Sequence, residues 1–107
     1  MSKKIRFRIS RNHNEYLNKL TGIFHTDKAS LLTMLILLEK NLKIVNVLDK
    51  YDNSHEKEVD IFINEKVAED FRNLYENAGI FKVQYFLNMI YAYGESQFLK
   101  KYIANDS

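Results

Sequence analysis

The chain of 107 residues contains no cysteine, no proline, no tryptophan and only three glycines. Without cysteine there is no disulfide framework, no thiolate nucleophile and no zinc site of cysteine type. With no proline and so little glycine, long helices can run uninterrupted. Long apolar runs are missing too. A stretch such as Leu35 to Leu38 falls far short of the roughly 20 residues that a membrane-spanning helix needs. No signal-peptide pattern precedes the basic N-terminal segment, so a cytoplasmic protein without a membrane role is expected.

Chemistry-bearing motifs are equally scarce. His13, His25 and His55 stand apart with no HxxxH spacing, and no nucleophile–base pair, glycine-rich phosphate loop or paired-carboxylate motif occurs. Asp27 and Glu39 read as helix-surface charges. No enzyme activity, metal or cofactor is therefore expected.

What the sequence does contain is a patterned, unevenly charged domain. At 46% hydrophobic and 28% charged it has the composition of a folded protein, and its length suits one core. The net charge of +2 hides an asymmetry. Residues 1–54 hold 10 Lys and Arg against 5 Asp and Glu, and residues 55–107 hold 6 against 9, so the halves carry +5 and −3. Five of the basic groups fall within the first eleven residues, with no acid among them. Such an end suits a polyanionic partner.

Residues 3–10 read KKIRFRIS. In an extended chain alternate side chains face opposite ways, so Ile5, Phe7 and Ile9 turn to a core while Lys4, Arg6 and Arg8 form an outer row. The pattern returns as EVDIFIN at 58–64. At an offset of 54 residues (59 − 5), Val59, Ile61 and Ile63 match the apolar three, and Asn64 matches Ser10 as a helix N-cap. His13, Leu17 and Leu20 then align with Val67, Phe71 and Leu74, each set one buried helical stripe. Both halves break, around Gly22 to Thr26 and Asn77 to Gly79. One extra residue moves the offset to 55, where Leu31, Leu32, Met34 and Leu35 face Phe86, Leu87, Met89 and Ile90. The match runs on to Ile44 and Leu48 over Leu99 and Ile103.

The pattern predicts an α+β, predominantly helical fold in the order β-α-α-β-α-α, with the strands near 4–9 and 58–63 paired antiparallel over four helices. Residues 1–107 form a single domain of two units, 3–49 and 57–103, joined by a polar linker at 50–56, and the second helices run near 28–49 and 82–103. Phe24, Tyr75, Tyr85, Phe86, Tyr91 and Tyr93 recur at helical spacing and read as core and rim, not as stacking platforms for bases. His13 reads as a satisfied polar tip at the core's edge.

A basic–apolar strand, a capped helix, a turn and a second helix resemble the ribbon-helix-helix DNA-binding proteins of Arc and MetJ type. Ala78, Gly79, Ile80 and Lys82 are similar to that family's turn and second-helix opening. The resemblance implies two fused units in one chain, a pseudo-dimer whose two-stranded ribbon enters the DNA major groove. It implies base reading by Lys4, Arg6 and Arg8 of the first strand. Outward residues of the second strand, Asp60 and Phe62, join them, since Asp can accept from cytosine N4 and Phe can touch a thymine methyl. It implies phosphate contacts by Lys3, Arg11, Thr26, Lys28 and Lys82, near the openings of the second helices, with Thr26 a helix cap and Asp27 unfavourable beside a phosphate. The second strand departs from the pattern: its outer row is Glu58, Asp60 and Phe62. The expected partner is double-stranded DNA, with further copies of the chain on adjacent sites or a protein partner. The setting would be transcriptional repression or plasmid maintenance and transfer. The rival expectation, from the acidic row, is a protein-interaction module that has lost DNA reading.

Overall fold

The computed structural model of the chain describes residues 1–95. Its elements are β1 (Ser2–Ile9), α1 (Arg11–Ile23), α2 (Lys28–Leu42), β2 (Lys57–Asn64), α3 (Glu65–Ala78) and α4 (Lys82–Glu95). Over these residues the fold is α+β, with four helices and one two-stranded antiparallel sheet. The expected continuation of the last helix to 103, with Leu99 and Ile103, lies outside the described residues.

The strands form because β-branched and aromatic residues alternate with charged ones, giving one face to bury and one to solvate. Ile5, Phe7, Ile9, Val59, Ile61 and Ile63 are all buried. Each contributes about 1.5–3 kcal/mol from burial. Register places Arg6 opposite Asp60, with Lys4 opposite Phe62 and Arg8 opposite Glu58. Beneath the ribbon, Phe7 stacks on Phe86 at 4.1 Å and meets Phe71 edge-on at 6.0 Å. The second helix of each half packs on the strand of the other: α2 on β2 and α3, α4 on β1 and α1.

Local signals match between the halves. Ser10 Oγ accepts from His13 N–H (3.3 Å) and Asn64 Oδ1 from Lys66 N–H (2.8 Å), so both expected N-caps are in place. The first helices close alike. Thr26 N–H donates to Thr21 O and His25 N–H to Gly22 O. In the second half Ile80 N–H donates to Tyr75 O and Gly79 N–H to Glu76 O. These are paired 6→1 and 5→2 closures, which need one left-handed residue. Gly79 supplies it at φ 71°, and His25 stands at the matching place at φ 51°.

These pairs, and the helix openings at Lys28 and Lys82, hold the offset at 54 throughout. The extra residue inferred after the turn is therefore corrected. The buried set Leu31, Leu32, Leu35, Ile36 and Glu39 maps onto Tyr85, Phe86, Met89, Ile90 and Tyr93, all buried. The α4 face is apolar without a break from Tyr85 to Ile90 apart from Asn88, so a pattern match succeeds at either offset.

Two further expectations are corrected. Glu39 is not a surface charge: it is 3% exposed. Its carboxylate accepts from Tyr85 OH (2.7 Å), Tyr93 OH (2.9 Å), Ile44 N–H (2.9 Å) and Val45 N–H (3.3 Å). These four donors, none of them a cation, occupy its two oxygens. Burial first, then the bond to Glu39 and its negative charge, push both tyrosine hydroxyls well above their ordinary range. The same carboxylate ends α2 early. By bonding Ile44 and Val45 it supports a left-handed Lys43 (φ 51°), so the helix stops at Leu42 instead of reaching 49.

The expected linker is docked, not loose. Tyr51 exchanges hydrogen bonds with the Gln84 side chain through both backbone groups. Asn53 accepts from Ser10 N–H and donates to Arg8 O. His13 is buried as expected. Its Nε2 lies 2.6 Å from Asp52 O, which can only accept, so Nε2 donates there, while Nδ1 lies 2.6 Å from Tyr91 OH. Tyr91 in turn stacks between Tyr16 and Tyr51.

Glu39→Ala leaves four donors without their acceptor and is expected to cost on the order of 3 kcal/mol in urea unfolding. A loss below about 1 kcal/mol would contradict this assignment. His25→Gly relieves the left-handed backbone and is expected to raise stability by up to about 1 kcal/mol in the same measurement.

Candidate functional site

The outer face of the ribbon brings Lys4, Arg6, Arg8, Glu58, Asp60 and Phe62 together, all exposed. Their outward direction follows from the buried alternate set, because a one-residue slip would turn every charge into the core. Side chains here rest on a rigid floor: Phe7 and Ile9 are fully buried and Ile61 is 2% exposed.

Within this face the charges are not independent. Arg6 Nε donates to Asp60 Oδ1 (2.7 Å) and Arg6 Nη2 to Asp60 Oδ2 (3.1 Å), a side-on bidentate clasp. Glu58 reaches both arginines, 3.2 Å from Arg6 Nε and 3.4 Å from Arg8 Nη2. Exposed pairs of this kind add little stability. Their effect is orientation. A guanidinium has five N–H donors, and the clasp leaves the Nη1/Nη2 end open. Hydrogen bonding from Arg6 pulls the Asp60 carboxyl below its ordinary range, against some desolvation, with the charges of Arg6 and Lys4 helping. Arg6 is raised in return, chiefly by the same bond. Lys4 is the cross-strand partner of Phe62, which is 57% exposed.

A groove flanks each edge of the ribbon, where a second helix opens. Beside β1 a groove of about 800 Å³ is lined by Arg6, Arg8, Asp52, His55, Phe81 and Lys82, among others. Beside β2 lies its counterpart at the same offset, about 450 Å³, with Asp60, Phe62, Asp27 and Lys28. The first has three cations against one carboxylate, the second one cation against two. The helix openings differ in the same sense. Asp27 caps α2, its carboxylate accepting from Ser30 N–H at 2.7 Å, which lowers its proton affinity. Phe81, 82% exposed, stands at the matching place before α4 and offers no capping oxygen.

Thr26 is not the cap expected of it. It lies in the α1–α2 turn with its N–H spent on Thr21 O. Asp27 wins the capping place because its carboxylate reaches Ser30 N–H from an extended backbone. Lys28 and Lys82 do open their helices, and Lys82 Nζ sits 5.9 Å from the Phe7 ring centroid. Lys3 is exposed on β1. Arg11 opens α1, exposed, with its backbone N–H donating to Glu56. The sequence reading missed His55 and Tyr51 beside the first groove, because a polar stretch that reads as linker gives no signal of docking.

The chain matches no family model, and no curated protein or solved structure is recognisably similar to it. Among the described residues no helix is long and apolar enough to cross a membrane, and no three metal-ligating side chains gather.

The depressed Asp60 carboxyl has a definite pH signature. Its folded value lies below its unfolded one, so the clasp's contribution is fully present above the ordinary aspartate range and is lost as pH falls through the lowered value. Carbon-detected NMR titration is expected to place Asp60 below 3.8, its ordinary value. Arg6→Ala should return it upward. An ordinary titration in the native chain would contradict the clasp.

Proposed function

We propose that this chain is a sequence-specific double-stranded DNA-binding protein that reads the major groove with its β1–β2 ribbon. On this reading it is a pseudo-dimer of two ribbon-helix-helix units fused in one chain, acting as a transcriptional repressor or a plasmid maintenance or transfer accessory. One observation carries the reading: an exposed two-stranded ribbon holds Lys4, Arg6 and Arg8 on its outer face over a fully packed floor. The major groove, about 12 Å wide, admits a two-stranded ribbon.

Arg6 is the principal base reader. Asp60 holds its Nε/Nη2 side, which leaves the Nη1/Nη2 end for guanine O6 and N7. Asp60 thus acts as a positioning residue for Arg6, while Phe62 is placed to touch a thymine methyl. Arg8 and Lys4 add contacts along β1, and the basic groove at the opening of α4 grips the flanking backbone through Lys82. The counterpart groove at α2, with Asp27 and Asp60, does not, so the site read is asymmetric.

The second reading, a protein-interaction module, draws on the same ion pairs: Glu58 and Asp60 already neutralise much of the arginine charge. A partner retained from cell extract after nuclease digestion, together with no affinity for duplex DNA, would favour it.

For the leading reading, replacing Arg6 and Arg8 together by Ala should weaken specific duplex binding about 100-fold or more, at about 1–3 kcal/mol per lost bidentate contact. The circular dichroism spectrum should be unchanged, since both side chains point away from the core. Unchanged affinity in the folded double variant would sink the reading.

A further inference from the structure

A second basic feature lies off the reading face. On the β1 edge a cleft of about 190 Å³ is lined by Lys3, Lys4, Arg72 and Lys82, with Ile5, Ala68, Phe71 and Tyr75 completing its wall. Four cations from three elements therefore converge on one small space. Arg72 comes from α3, a helix from which the ribbon reading draws no contact. Among the described residues, Lys3, Lys4 and Lys82 have no carboxylate within ion-pair distance. Arg72 pairs with Glu69 one turn away at 2.9 Å, an exposed pair of small worth. Lys82 is held over the Phe7 ring, and Phe71 is packed in the core, so the cleft has a firm floor.

The other half of the chain provides an internal comparison. At the offset of 54 the matching positions are Lys57, Glu58, Asn18 and Lys28. That set has two cations and one carboxylate, a net +1 where the β1 edge has +4. Folding requirements are the same at both edges, because both are flanks of one ribbon. The accumulation of charge on one of them is not needed by the core. Four like charges around one space repel one another, and an anion with several acceptor oxygens relieves that repulsion.

We propose that Lys3, Lys4, Arg72 and Lys82 form a binding site for a phosphate group, with Arg72 on α3 as its outer wall. Within the DNA-binding reading, on which this assignment of the natural ligand rests, the group is a backbone phosphate beside the groove that β1 enters. The duplex then wraps toward α3 on the β1 side only. Lys4 stands at the rim, where the outer row meets the cleft.

Two measurements test the site and separate it from the DNA reading. The first is NMR titration of the chain with inorganic phosphate at constant ionic strength. Shifts should concentrate at Lys3, Lys4, Arg72, Lys82 and Ala68, and disappear in Arg72→Gln. Equal shifts around Lys57 and Asn18, or none, would overturn the site. The second is duplex binding across a salt series. Arg72→Gln should reduce the slope of log affinity against log salt by about one, while Lys57→Gln leaves it unchanged. If phosphate shifts cluster at the cleft but Arg72→Gln leaves the duplex slope intact, the site stands and its ligand is a free phosphate group. If the native chain binds no duplex yet still gathers phosphate in the cleft, the DNA reading fails and the site stands. The Arg72 side chain is half-exposed, and circular dichroism verifies that the variant folds.

Discussion

Among the described residues neither strand has any other strand to pair with, so the fold depends on β1 and β2 closing on each other. An isolated two-stranded ribbon is marginal in water. This one is held because Ile5, Phe7, Ile9, Val59, Ile61 and Ile63 of its inner face are buried against the helices beneath. The closure spans most of the chain, from Ser2 to Asn64. It forces each half to lend its second helix to the other half's strand. The same constraint fixes the outer face. Once Phe7 and Ile61 are buried, Arg6 and Asp60 must meet in the open.

Among the described residues, hydrogen bonds join matching positions of the two halves both on the surface and in the core. Arg6 and Asp60 face each other on the ribbon. Glu39 and Tyr93, also 54 apart, bond in the core. In both, matching positions carry complementary chemistry where identical residues would have placed like groups together. The complementarity holds the two halves to each other. It also makes the surface unequal, basic along β1 and acidic along β2.

Much of this architecture was legible because it rests on local, periodic signals. Alternation at Ile5, Phe7 and Ile9, the caps Ser10 and Asn64, and the stripe His13, Leu17, Leu20 each follow from neighbours within a few residues. What escaped depended on distant partners. Glu39 looks like any helix glutamate until Tyr85 and Tyr93 arrive from α4. The segment around Tyr51 and Asn53 looks like a linker until Gln84 and Ser10 bind its backbone and side chains. The end of α2 was overrun for the same reason, since the apolar residues Ile44 and Leu48 keep helical spacing although the Glu39 carboxylate has already drawn the backbone away. At the candidate site the outer row was legible, but the clasp was not, because pairing register decides which carboxylate meets which arginine.

The central claim is that an unequal ribbon reads duplex DNA, with Arg6 held to its task by Asp60. Selection of bound sequences from a random duplex pool tests it most directly. The expected result is enrichment of one non-palindromic motif containing a guanine whose preference vanishes in Arg6→Ala. Recovery of no motif, or of one indifferent to Arg6, would contradict the account.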